Sequence, residues 1–365
     1  MPTAQIHRLS VHAFRNLSAV DCHFDAKFNF FCGDNGSGKT SLLEALYYLG
    51  HAKSFRTSHC TRLIQYQHDC FQILAEGQSP SDTLPLRVGI ERNRQGERRI
   101  RANQEELRSI APITQQWPMQ FMSPMSYRFF HDGPKGRRQC LDWALFHVEP
   151  RFLALWQDLQ RILKQRNMAL KQQGDYQAWN TVLAEAAQCL DLWRRELVGH
   201  LAPLCLDYLH DLLPDVDFCL QYQRGWPDDS DLLTLLNQHQ ALDRRLKYTY
   251  YGPQRADFQM FCHDLPVQDV LSQGQQKLAA YALHLALGQV LKEHSGKRTI
   301  YLIDDLPSEL DRKSREKMMR SLVNLDAQVF ISAITPDDLR DFTESDSGKM
   351  FHVEHGALRE GSQRQ

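Results

Sequence analysis

Residues 33 to 40 read Gly33-Asp34-Asn35-Gly36-Ser37-Gly38-Lys39-Thr40, which fits the pattern G-x-x-x-x-G-K-[ST]. No other stretch narrows the possible folds as far, because such a loop works only between a strand and a helix. The glycines let successive backbone N–H groups point inward, and the helix adds its positive N-terminal end. Both flanks comply. The apolar run Phe28-Asn29-Phe30-Phe31-Cys32 precedes the loop, and Thr40 to Leu49 places Leu, Ala and Tyr at helical spacing, with Gly50 as the expected cap. A bare glycine-rich turn would require neither flank. The loop therefore predicts an α/β fold with a phosphate cradle built from Gly33, Asp34, Asn35, Gly36, Ser37, Gly38, Lys39, Thr40 and Ser41. Lys39 would reach the β and γ phosphates of a nucleotide, and the Thr40 hydroxyl would ligate Mg²⁺.

Two further segments gain meaning beside this loop. Tyr301-Leu302-Ile303-Asp304-Asp305 is an apolar strand ending in two carboxylates. Asp304 suits a hold on Mg²⁺ and Asp305 suits orienting or deprotonating an attacking water, giving Lys39, Asp304 and Asp305 as the catalytic set. Alone, the same strand end would read as a solvated turn. Leu271-Ser272-Gln273-Gly274-Gln275-Gln276 precedes a helix, and a serine hydroxyl with a glycine N–H there makes a second anion site, one more than a single nucleotide uses. The plain alternative is a serine helix cap.

The rest of the chain sorts by periodicity. An edge hairpin is expected before residue 25 and another at Leu84 to Ile90 and Arg98 to Ala102, where five arginines fall between Arg92 and Arg101. Two apolar stripes, Phe152 to Leu170 and Trp179 to Leu201, are broken at Gly174-Asp175 and predict an antiparallel helical hairpin. A helix is expected from Leu232 to Leu246 and others from Gly274 to Leu291 and Arg312 to Leu325, with strands at Thr299 to Ile303 and Gln328 to Ile334. The expected division is an α/β lobe from 1–140 and 248–365, interrupted by a helical arm over 141–247.

Composition excludes several classes. The 365 residues are 42% hydrophobic and 24% charged, which rules out wholesale disorder. With no apolar run of about 18 residues and no leader-like start at Met1, the chain reads as cytoplasmic with no membrane partner. Nine cysteines without a C-x-x-C pair predict small buried thiols rather than disulfides or zinc. A formal charge of −1 means that any contact with nucleic acid must come from a local patch.

Leu271-Ser272-Gln273-Gly274-Gln275 resembles the L-S-G-G-Q signature of ABC ATPases with Gln273 for the first glycine, and Leu306-Pro307-Ser308-Glu309-Leu310-Asp311 resembles their D-loop. The long insertion between Thr40 and Ser272 narrows the likeness. So do Phe14-Arg15-Asn16, Lys53-Ser54-Phe55-Arg56-Thr57, Gly133-Pro134 with Arg137-Arg138, Leu141-Asp142, and Tyr251-Gly252-Pro253 with Arg255 and Asp257. Together these resemble the RecF family of recombination mediators. Two places depart from its pattern, Met125-Ser126 after a Ser-Pro turn and Gln254 with Ala256 in the Gly-Pro run.

That resemblance implies an ABC-type ATPase head using ATP and Mg²⁺. It implies a head-to-tail homodimer in which Ser272, Gly274, Gln275 and Asp311 complete the partner's ATP site. It also implies weak, DNA-associated ATP hydrolysis, binding at single-strand/double-strand junctions of gapped DNA, and loading of RecA with RecO and RecR. Candidate phosphate contacts are Lys53 and Arg56; Arg92, Arg94, Arg98, Arg99 and Arg101; and Lys135, Arg137 and Arg138. The arginine hairpin reads equally as a strand edge protected by charge. Two other classes stay open: a motor ATPase serving a separate membrane subunit, and a DNA-binding scaffold indifferent to nucleotide.

Overall fold

Alternation of apolar and polar residues builds one sheet, and its absence builds another. The computed structural model describes residues 4–79, 85–305, 310–339 and 348–361, in two units: Met1–Ser126 with Leu291–Gln365, and Tyr127–Val290. In the first unit, strands such as Leu17–His23 and Cys70–Gln78 alternate buried and exposed positions. They join a six-stranded antiparallel sheet in the order 17–23, 5–14, 70–78, 86–93, 98–102, 105–106. One face packs inward through Phe71, Ile73 and Ile90, and the other meets solvent.

The second six-stranded sheet runs 357–360, 348–354, 28–32, 328–333, 300–303, 119–122, all parallel except for the 357–360 edge. Phe28–Cys32, Ile300–Ile303 and Gln328–Ala333 are buried at every position, as a parallel sheet covered on both faces requires. Gln328 ties the two sheets together. Its buried side chain accepts from Ile6 N at 2.8 Å and donates to Ile6 O at 2.8 Å, standing in for a strand partner.

The helix after the loop runs Lys39–His51, with Ala52 in the left-handed conformation as its cap. Gly50 is therefore interior rather than terminal. A Cβ there would meet Met119 Sδ at 2.8 Å, so its smallness serves packing.

In the second unit, helices Phe152–Gln172 and Ala178–Leu212 pack on each other as the two stripes predicted. The latter continues through Pro203 because Leu201, Cys205, Leu209 and Leu212 stay buried at three- and four-residue spacing. The helix expected over 232–246 is two, Leu232–Gln238 and Gln240–Leu246, parted at His239. Each half has its own anchor: leucines in the first, and Asp243, paired at 2.8 Å with the fully buried Arg166, in the second. A three-stranded sheet, 265–266, 257–262, 218–223, completes the unit.

The unit boundaries differ from the expected 140/141 and 247/248. Phe258, Met260, Leu271, Ala279, Leu283 and Leu287 share one core with the helical hairpin, which draws residues up to 290 into the helical unit. The cysteines are not uniformly buried: Cys22, Cys32, Cys205 and Cys262 are, while Cys219 is exposed. Among the described residues, no helix is long and apolar enough to cross a membrane.

Candidate nucleotide-binding site

The carboxyl ends of three neighbouring parallel strands, 28–32, 328–333 and 300–303, carry the loop, Ser332 and the two aspartates side by side. The loop turns on Gly33, Gly36 and Gly38, at φ 153, 83 and 125°. At Gly33 the requirement is double, since a Cβ would also lie 2.2 Å from the carbonyl of Val353.

Lys39 is buried and donates its ammonium to the carbonyl oxygens of Gly33 and, at 2.9 Å, Asp34. Thr40 Oγ1 donates to both carboxylate oxygens of Asp304 at 3.1 Å. Asn16 holds the cradle from the side, donating to Gly36 O at 3.1 Å and accepting from Ser41 Oγ at 2.7 Å. Among the described residues, the buried Ser37 hydroxyl has no hydrogen-bond partner, which leaves it able to donate to a phosphate. A cleft of about 490 Å³ is lined by Asn16, Lys39, Thr40, Arg56, Asp304 and Asp305. Thr40 and Asp304 supply the few hard oxygens that suit Mg²⁺, an ion that keeps most of its waters and shares the rest with phosphate.

Beneath the helix, Glu44 is wholly buried and accepts from Arg15 at 2.7 and 2.9 Å, with Arg56 at 3.7 Å. Arg56 also lines a neighbouring cleft of about 390 Å³ with Lys53, Tyr48, Thr57 and Arg92.

The arginine hairpin does not form one patch. Arg92 pairs across the strands with Arg98, while Arg99 and Arg101 stand opposite Glu91 and Gly89, so the two pairs face opposite sides of the sheet. Arg94 donates to the carbonyls of His68 and Gln65. In the helical unit, Arg137 is buried in a two-pronged pair with Asp257 at 2.7 and 3.0 Å, and Arg138 donates to Ala256 O at 2.8 Å. Both therefore anchor the Gly-Pro turn instead of presenting charge, whereas Lys135 is exposed.

Ser272 and Gln275 form a reciprocal cap: Gln275 N donates to Ser272 Oγ at 3.3 Å, and Ser272 N donates to Gln275 Oε1 at 2.9 Å. The turn opens the helix Gln273–Ser295, its Ser272, Gln273 and Gly274 are exposed, and a Cβ at Gly274 would touch nothing. Asp311 caps Arg312–Leu325, and the N–H and hydroxyl of Ser314 hold its carboxyl below the usual range. Leu306 to Glu309 lie outside the described residues.

Of the two departures, Ser126 closes the Ser-Pro turn by accepting from Ser123 N at 3.0 Å, and Ala256 is fully buried. Motif reading gave Ser332 no part, although a lone hydroxyl in the apolar run Val329-Phe330-Ile331 is a visible signal.

Comparison with known proteins places this geometry. The family model described as RecF/RecN/SMC N terminal domain matches residues 5–358. A protein of Coxiella burnetii (strain CbuK_Q154) named DNA replication and repair protein RecF is 45% identical over 356 residues, covering 97% of this chain and 98% of its own. A protein of the same name from Vibrio cholerae serotype O1 (strain ATCC 39541 / Classical Ogawa 395 / O395) is 40% identical over 364 residues, covering 98% and 99%. A solved structure described as the recombination mediator protein RecF-ATP in the RecFOR pathway superposes with a TM-score of 0.88 at 24% identity, covering 99% of this chain and all of that one. The α/β ATPase-head fold with its helical unit is thus that of RecF and SMC heads, and the chain belongs to the RecF/RecN/SMC N-terminal family, among its RecF proteins.

Proposed function

We propose that the chain is an ATP-driven DNA clamp of replication and recombinational repair, working in the cytoplasm. One observation carries the reading: Lys39, Thr40, Asp304 and Asp305 line a single cleft at the ends of parallel strands. Lys39 exchanges the loop carbonyls for the β and γ phosphates. Thr40 and Asp304 would hold Mg²⁺, which would supply charge neutralisation for the phosphates. Asp305 orients the attacking water and accepts its proton.

The exposed Ser272 turn is unlike a core feature and suits the γ-phosphate of a second copy's nucleotide. ATP then closes two copies head to tail, because it binds the closed state better than the open one. The closed dimer holds gapped DNA, and slow hydrolysis reopens it, while RecR, with RecO, leads RecA to the gap. Of the candidate cations, Lys53, Arg56, Arg98, Arg99, Arg101 and Lys135 stay exposed and able to meet DNA phosphates. The names of the relatives, DNA replication and repair protein and recombination mediator, support the same reading.

The test is binding of a labelled gapped duplex with ATP, with ADP and without nucleotide, in wild type, Lys39→Met and Ser272→Arg. Tight binding with ATP alone, lost in both variants, is expected. Equal binding throughout would sink the clamp in favour of a scaffold, and recovery with membranes instead of DNA would favour a motor.

A further inference from the structure

Strand Gln328–Ala333 lies between the loop strand and the carboxylate strand, pairing in register with both. Every residue of it is buried, so a polar side chain there needs a reason. Ser332, with no exposed surface, has one on each side of its oxygen. Its hydroxyl donates to Asp304 Oδ1 at 2.6 Å and accepts from the backbone N–H of Asp305 at 2.9 Å. Asp305 has φ 52°, a left-handed conformation that few non-glycine residues adopt and aspartate takes more readily than most, and the N–H that Ser332 accepts belongs to that same residue.

We propose that Ser332 is a positioning residue, which sets the Asp304 carboxylate opposite Thr40 and holds the backbone turn that aims Asp305. Thr40 takes both oxygens of Asp304 from the loop side, and Ser332 takes Oδ1 from the sheet side. The carboxylate is therefore fixed by two hydroxyls, one in the first turn of helix Lys39–His51 and one at the end of strand Gln328–Ala333. One hydroxyl thus couples the group that holds the metal to the group that handles the water. Outer hydrogen bonds to metal-holding carboxylates of this kind are commonly worth 10- to 100-fold in metal affinity or activity. The inference rests on the ATPase reading above.

The test compares wild type, Ser332→Ala and Ser332→Thr by ATP turnover, by Mg²⁺ titration, and by binding of a fluorescent ATP analogue in EDTA and in Mg²⁺. Ser332→Ala is expected to lower kcat about 10- to 100-fold with KM within about twofold. It should also raise the Mg²⁺ needed for half-maximal analogue binding about tenfold, and leave binding in EDTA unchanged. Ser332→Thr keeps the hydroxyl and should recover most of both losses. Wild-type turnover and Mg²⁺ dependence in Ser332→Ala would overturn the inference, as would a loss of EDTA binding equal to the loss in Mg²⁺, the sign of a mere packing role. If wild type binds the analogue without hydrolysing ATP, the ATPase reading fails while the Mg²⁺ dependence of binding still decides Ser332. If it binds none, both fall.

Discussion

Two helix starts in this protein are proposed above to meet a phosphate, and they are built in opposite ways. The loop before Lys39 is sunk into its sheet, with its lysine already engaged by the carbonyls of Gly33 and Asp34. The turn before Gln273 lies on the surface and satisfies itself through the Ser272–Gln275 exchange. The first has walls, cations and carboxylates around it, the equipment of a complete pocket. The second has a bare glycine and an exposed hydroxyl, which on the proposed head-to-tail reading make up half a pocket.

Glycine replacement should separate the two most sharply. Gly33→Ala forces a Cβ to within 2.2 Å of the Val353 carbonyl at φ 153°, and should cost about 3 kcal/mol from clash and backbone strain together. The check is a urea midpoint, and a variant as stable as wild type would remove the claim that this loop is fixed by its neighbours. Ser272→Ala removes the cap at the exposed start of helix Gln273–Ser295 and should cost about 1 kcal/mol, with ATP-dependent association falling in parallel.

Gly274→Ala turns the comparison around. With open space at the position, alanine should stabilise the isolated protein by about 0.5–1 kcal/mol through its helix propensity. It should nonetheless weaken ATP-dependent dimerisation, because the added methyl stands where a second copy's phosphate would come. Sedimentation and melting of one sample read both effects, and gain of stability without loss of association would break the half-pocket view.

The smallest expected effect comes from acid. Each helix carries a histidine whose pKa burial pushes down to about 4, His51 in the first and His284 in the second. Both stay neutral in the folded chain, so between about pH 6.5 and 4 the unfolded chain binds protons that the folded one refuses. Stability is fully present above about pH 6.5 and falls as pH drops towards 4. Both residues are half-buried overall, so the slope should be shallow. Denaturation at pH 7.5 and 5 in wild type, His51→Phe and His284→Leu checks it: each variant should lose less stability on acidification.

What the sequence made legible follows the range of the interactions. Gly33 to Thr40 and Asp304-Asp305 could be read because each motif is local, with its flanking strand beside it. Helix Arg312–Leu325 matched its expectation because Asp311 caps it from the adjacent position. Strands Met119–Met122 and Gly348–Glu354 were not foreseen, since both are defined by partners far away in the chain. Arg137 shows the same limit in one residue. As a letter in a basic cluster it suggested DNA, and only Asp257, far along the chain, turns it into a buried strut. Ser332 likewise lies 28 residues from Asp304, beyond what any motif spans.

The carbonyl that presses on Gly33 belongs to Val353, and the carbonyl of Ser37 is met by the N–H of Gly356. Phe28–Cys32, which carries the loop, is flanked on its two sides by 328–333 and 348–354. During translation, then, the loop emerges first and is finished last. At usual elongation rates the wait is on the order of tens of seconds. Until residue 333 is made, Phe28, Phe30 and Phe31 have neither flanking strand to pair with and are open to a chaperone or to another nascent chain. A ribosome that stopped before residue 348 would release a chain with the loop, Ser332 and both aspartates but without the Val353 carbonyl beside Gly33 or the Gly356 N–H that meets the Ser37 carbonyl.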